Sequence, residues 1–179
     1  MDGVMIECPF CEAENIPGAD VCEECGQPLS DMHLPTPATA VERSLLKDRM
    51  GALAPKAPLT VESDTPVGDV LRLLVDHAIG CAIVVDSGNL VGIFTERDAL
   101  VKLNVDYAEL ASRPVSEFMT PSPEALDIRA KIAFAVQRMD LGGFRHIPIV
   151  DDEGHPTGII SVRDILRYLT EKLTTAEKS

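Results

Sequence analysis

The chain has 179 residues, 45% of them hydrophobic but only 4% aromatic and none Trp, so any core it buries is aliphatic. Its net charge of −13 argues against non-specific attachment to nucleic acid or to an anionic membrane, both of which draw in basic surfaces. No apolar run approaches the roughly 18 residues of a membrane span, and no basic segment followed by an apolar stretch marks a secretory signal; a cytoplasmic chain is expected.

Residues 1–30 carry four of the five cysteines, as Cys8-x2-Cys11 and Cys22-x2-Cys25 with ten residues between the two pairs. Thiols crowded this closely in a cytosolic chain read as a metal site rather than a disulfide framework. Each CxxC turn brings two thiolates within reach of one tetrahedral ion. So short a segment cannot bury enough apolar surface to fold unaided, so the metal supplies its folding energy. The run from Cys8 to Leu29 resembles the short zinc ribbons found at the ends of many prokaryotic proteins: Cys-Pro-x-Cys, Asn15, Gly18-Ala19, Gly26 and Leu29 fall in place, while Glu12 stands where such ribbons often have Gly. An iron site of rubredoxin type is chemically open, but that family separates its two pairs by more sequence. Four thiolates leave no open coordination position, which makes the expected Zn2+ structural. Seven acids and no Lys or Arg in this region speak against a DNA-binding ribbon, which leaves docking on a protein partner, or simply folding the N-terminus, as its role.

Residues 31–52 hold Pro35 and Pro37 and read as a linker. Val41, Leu45, Leu46 and Met50 within it fall near helical spacing, compatible with one short helix.

From residue 53 an internal repeat organises the chain. Cys81–Leu103 and His146–Leu169 both run apolar strand, Asp, polar turn, then Gly, two apolar residues, a hydroxyl residue, one residue, Arg and Asp, and then an amphipathic stretch. Asp98 and Asp164 occupy matching places. Upstream of each lies a predicted helix. The first has Thr65 as N-cap, Pro66 at its first position and a stripe of Val67, Val70, Leu71, Leu74 and Ala78. The second is capped by Asp127, with Ile128, Ile132, Val136 and Met139 inside. Turns at Ser87-Gly88-Asn89 and Asp152-Glu153-Gly154 join the later strands into hairpins. The expectation is an α/β protein of two strand–helix–strand–strand–helix units, residues 53–110 and 111–172, with a tail at 173–179. One unit alone would be marginal; two related by a pseudo-twofold axis bury their sheets together and leave clefts at the seam.

The two copies, carried by Gly92–Asp98, Gly158–Asp164, Arg145–Asp151 and the connecting Val115–Pro121, resemble the CBS domain family over about two-thirds of the chain. A tandem CBS pair, or Bateman module, implies a regulatory protein that binds an adenosine-type ligand (AMP, ADP, ATP or S-adenosylmethionine), often as a homodimer.

The motif has a physical reason. Thr95 and Asp98, and Ser161 and Asp164, are three apart on one face of a helix start, where a carboxylate can accept from both ribose hydroxyls and the hydroxyl and backbone N–H groups can face a phosphate. The same spacing is that of an N-terminal cap, and the resemblance implies that both roles coexist. Adenine would lie along each unit's opening strand, near Leu59-Thr60-Val61 or Glu124-Ala125-Leu126. Arg145 and His146, which the first repeat replaces with Gly80 and Cys81, are candidate phosphate contacts by resemblance, with Arg97 and Arg163 as further cations. Cys81 reads as a small buried apolar residue. The four histidines are scattered and no nucleophile or phosphate-loop motif is visible, so no enzyme is expected. The competing reading is a ligand-free dimerisation scaffold with the ribbon as an interaction tag.

Overall fold

A computed structural model of the chain describes residues 6–8, 11, 13–16, 19–27, 29 and 39–176. The first part of the predicted linker, residues 31–38 with Pro35 and Pro37, and the ribbon's Pro9, Glu12 and Gly18 lie outside the described residues. The ribbon contains a small antiparallel hairpin, β1 (Ile6–Glu7) with β2 (Glu14–Asn15). Helix α1 (Ala40–Lys47) follows, held by a capping box in which the Thr39 hydroxyl accepts from Glu42 N and the Glu42 carboxylate accepts from Thr39 N. One 3-10 turn, Met50–Leu53, leads into the repeats.

The first unit contains β3 (Thr60–Glu62), α2 (Val67–Asp76), β4 (Cys81–Asp86) and β5 (Asn89–Thr95). A broken helical stretch follows: α3 (Glu96–Asp98), a π-turn segment over Ala99–Leu103, and α4 (Tyr107–Leu110). After it come β6 (Thr120–Pro121) and the second unit, β7 (Leu126–Asp127), α5 (Ile132–Gly142), β8 (His146–Val150), β9 (Pro156–Ser161) and α6 (Val162–Ala176). The sheet orders are β3-β4-β5-β6 and β7-β8-β9, with the first two strands of each parallel and the rest antiparallel. Both hairpins shift register at the same place, Val84/Val85 and Ile149/Val150. The first hairpin closes in two residues, Ser87 and Gly88, both at positive φ, the backbone that matches strand twist; Asn89, assigned to the turn from sequence, is the first residue of β5.

Two helix starts differ from expectation for one reason. Helix α2 begins at Val67 with Pro66, not Thr65, as its N-cap, and its leading N–H groups donate to the carbonyls of Arg113 and Ala111. Helix α5 begins at Ile132, so Asp127 is not its cap and Ile128 is not inside it; Ile132 N donates to Asp48 O. Asp127 ends β7, and its carboxylate instead accepts from Arg129 N and the Arg129 guanidinium. Carbonyls from distant segments thus do the work of side-chain caps.

Those distant segments are exchanged between the units. Met50 and Leu53 pack into the core of the second unit with Ile132, Ile147 and Ile160, and Lys56 bridges to Ile159 on β9 before the chain enters β3. Val115 and Phe118 pack into the core of the first unit with Val67, Val84 and Phe94, and β6 adds to β5 at Gly92 and Ile93 before the chain enters β7. The alternation of β4 sends Ala82 and Val84 into the first core, and Cys81, Ile83 and Val85 into a separate cluster touching Ile159 of the second unit. Burial on both faces explains why this strand reads as an unbroken apolar run.

The two repeat glycines serve the crossings. A Cβ on Gly92 would run into the Met119 side chain, and one on Gly158 would lie 2.8 Å from Pro55 Cβ. Gly158→Ala is therefore expected to lift the 54–56 segment from β9 and destabilise the protein by about 1–3 kcal/mol, read as a lowered midpoint in urea denaturation. An unchanged midpoint would show that the crossing segment yields without cost.

Candidate ligand clefts and metal centre

Each unit ends its second hairpin strand on a hydroxyl residue and starts a helix at once, and this places a carboxylate at the seam. In the first unit Asp98 Oδ2 accepts from Thr95 N at 3.0 Å and Thr95 Oγ1 at 2.6 Å. Asp98 Oδ1 accepts from Thr120 Oγ1 at 3.3 Å and meets Lys102 Nζ at 2.8 Å. Burial alone would raise the Asp98 pKa, but Lys102 and the Thr95 donors outweigh it and hold the carboxyl below its ordinary value. This carboxylate opens on a cleft of about 450 Å3 bounded by Thr95, Arg97, Lys102, Thr120, Glu124 and the loop Gly142–His146.

In the second unit Asp164 Oδ2 accepts from Ser161 N at 2.9 Å and Ser161 Oγ at 2.6 Å, and Oδ1 accepts from Arg167 Nη2 at 2.8 Å. Lys56 Nζ stands farther off at 3.8 Å. Here too desolvation is overcome by the Ser161 donors and the neighbouring cations, and the pKa is lowered. The cleft facing Asp164, of about 510 Å3, is bounded by Lys56, Ala57, Leu59, Ala78–Cys81, Glu96 and Ser161–Asp164. Asp98 and Asp164 are both buried, at 9% and 4% exposure, so neither is a solvated surface acid.

Arg145 and His146 line both clefts and form the wall between them. Burial and the adjacent Arg145 keep the His146 imidazole pKa low, so the ring favours its neutral form. It packs over Gly80, where an added Cβ would lie 3.4 Å from both the ring and the Glu96 carboxylate. Cys81 is buried, and desolvation followed by the Glu96 charge pushes its thiol up to about 12, which leaves it unreactive.

The predicted residues divide by position. Thr95, Arg97 and Asp98 line the first cleft, and Ser161, Arg163 and Asp164 the second. Arg97, Arg145 and Arg163 are exposed and have no ion-pair partner among the described residues. Thr60, Val61, Ala125 and Leu126 line neither cleft; Val61 and Leu126 are buried in the two cores. The cleft edges are formed a few residues upstream, by Lys56, Ala57 and Leu59 and by Ser122–Glu124, because the crossing segments reach the seam before each opening strand begins. Lys102, Thr120, Lys56 and Arg167 went unassigned from sequence. Lys102 and Arg167 lie four and three residues after their aspartates, so helical periodicity alone could have found them.

In the ribbon, Cys8 Sγ and Cys25 Sγ are 3.7 Å apart, Cys11 Sγ and Cys22 Sγ 3.5 Å, and all four sulfurs lie within 4.8 Å of one another. Sulfurs about 2.3 Å from a tetrahedral ion stand about 3.8 Å from each other, so the cluster fits one such ion. Asn15, buried, donates Nδ2–H to Ala13 O at 2.8 Å and to Cys22 Sγ at 3.6 Å while its Oδ1 accepts from Glu23 N. Burial opposes ionisation of Cys22, but the N–H groups of Cys25 and Glu24 overcome it and lower the thiol to about 6.

The CBS domain family model matches residues 51–104 and 115–171. An uncharacterised 17.7 kDa protein of Acidianus ambivalens is 31% identical over 124 residues, covering 69% of this chain and 74% of its own. Other curated relatives are longer, and the chain spans about half or less of them. Among solved structures, the CBS domain pair of protein MJ0100 in complex with 5'-methylthioadenosine and S-adenosyl-L-methionine superposes with TM-score 0.63 at 25% identity, over 70% of this chain and 98% of that one. CBSX2 in complex with AMP superposes with TM-score 0.59 at 27% identity, over 69% and 96%. No helix among the described residues is long and apolar enough to cross a membrane.

Proposed function

The chain belongs to the CBS domain family, and from that premise we propose that it is a regulatory protein whose two clefts receive an adenosine-type ligand (AMP, ADP, ATP or S-adenosylmethionine) and whose response is passed to a partner protein. The observation that carries this reading is the pair of buried carboxylates, each fixed by a hydroxyl residue three positions earlier and each facing a cleft between the halves. A ribose diol offers two O–H donors to such a group. Arg97, Arg145 and Arg163 stand ready for phosphate oxygens or a ligand carboxylate. The two ligand-bound CBS structures support the choice of ligand class, since their compounds share the adenosine moiety.

The four-thiolate centre holds a structural Zn2+ in this reading. The acidic ribbon serves as a protein-docking element and the chain acts as a cytoplasmic homodimer, regulatory rather than catalytic. One observation favours a ligand-free scaffold instead: both carboxylates already meet cations of the protein itself.

Thermal unfolding with each of the four compounds separates the two readings. A ligand at about 100 times its dissociation constant adds about 2.7 kcal/mol of stability, so at least one compound is expected to raise the melting temperature by several degrees. No shift with any of them would leave the scaffold.

A further inference from the structure

The two carboxylates differ in how much of their hydrogen-bonding capacity the protein uses. An ionised carboxylate has about four acceptor sites. At Asp98 four donors are in place: Thr95 N, Thr95 Oγ1, Thr120 Oγ1 and Lys102 Nζ. At Asp164 three donors lie within hydrogen-bond reach, Ser161 N, Ser161 Oγ and Arg167 Nη2, and a second cation, Lys56, stands off at 3.8 Å.

The cations differ too. Arg167 and Lys56 have side chains 53% and 69% exposed, so they can swing away from Asp164 into water. Lys102 is 36% exposed, and its ammonium, with three donors to give, also reaches Phe118 O at 2.7 Å and Met119 O at 3.0 Å. Removing it from Asp98 breaks three contacts at once. The residue at the matching place in the second repeat, Tyr168, turns away from Asp164 and donates instead to Asp48 at 2.6 Å. The difference follows the backbone: the stretch from Ala99 to Leu103 is a π-turn, whereas α6 runs unbroken from Val162 to Ala176.

We infer that Lys102 is an internal occupant of the first cleft, filling the place of a ribose hydroxyl on Asp98, so that the second cleft, at Asp164, is the adenosine site of the resting protein. This rests on the proposed ligand class. Lys102 then sets the number of ligands the protein takes, and because its other two contacts lie just before β6, it ties that number to the crossing segment.

Titration calorimetry and native mass spectrometry with AMP and with S-adenosylmethionine test it on the full chain. The expected result is one ligand per chain for the wild type and two for Lys102→Met. Lys102→Gln, which removes the charge but keeps donors for the two carbonyls, gives the same rise if the Met variant folds poorly. Two ligands per chain in the wild type, or an unchanged or reduced number in both variants, overturns the role of Lys102 while the ligand class stands. No binding by any of the three proteins removes both.

Discussion

Replacing Asp164 by Ala is expected to weaken adenosine-ligand binding by about 100-fold or more. Two charge-assisted hydrogen bonds to a ribose diol contribute roughly 1.5–3 kcal/mol each, and 2.7 kcal/mol already corresponds to about 100-fold in affinity. The same change removes the acceptor for Ser161 N, a cap worth about 1 kcal/mol, so the unliganded protein should melt slightly earlier yet remain folded. A melting-temperature shift with ligand that survives in Asp164→Ala would sink the ribose assignment at this residue. Acidity offers a second handle. The folded Asp164 pKa lies below the ordinary 3.8, so its ionised form, and the stability linked to it, are fully present above the unfolded value. Both fade as pH falls through the depressed folded value. Ligand affinity should therefore be flat in this group from neutrality to weak acid, and any loss already present near pH 6 would have to come from elsewhere.

With the proposed zinc as the ribbon's only source of folding energy, a strong chelator is expected to unfold the ribbon and spare the CBS pair. Structural zinc supplies about 10–16 kcal/mol of folding free energy in small domains. The apolar cluster here is chiefly the ligands themselves, Cys8 and Cys22 with Leu29 and small neighbours. Amide signals from residues 6–29 should collapse into the unfolded range, with Cys22→Ser doing the same in the presence of zinc. Among the described residues the ribbon meets the pair through a hydrogen bond from Arg138 Nη2 to Gln27 Oε1 at 2.7 Å, worth about 1.5–3 kcal/mol at most, so the melting of the pair should move little. Dispersed ribbon signals after complete chelation would mean that the segment folds without an ion.

The repeat, its hairpins and the cysteine centre were legible because each rests on local spacing: a short polar turn holding a Gly, a hydroxyl three residues before an acid, a pair of CxxC turns. The misplaced features are non-local. Thr65 looks like a cap, but the N–H groups it would serve are taken by the carbonyls of Arg113 and Ala111; Asp127 does accept from Arg129 N, but the helix starts later, at Ile132, whose N–H donates to Asp48 O, and nothing near Thr65 or Asp127 announces partners that far along the chain. Thr60, Val61, Ala125 and Leu126, the edge expected for an adenine, lie off both clefts because the crossing segments reach the seam before the opening strands begin. Lys102 was overlooked because a lysine four residues after an aspartate reads as an ordinary exposed pair. The two main-chain carbonyls that anchor it come from a part of the chain sixteen and seventeen residues on.

The exchange of residues around 50–56 and 115–121 means that gene duplication here did not leave two separable modules. Cut the polypeptide near 110, and the front fragment keeps Met50 and Leu53 with nowhere to bury them while losing Val115, Phe118 and the strand that covers β5. The rear fragment gains a superfluous β6 and lacks the residues that fill its own centre. Halves produced apart should stay unfolded until mixed, and a fragment from Thr39 to the end of α6, which keeps both exchanged segments, should fold.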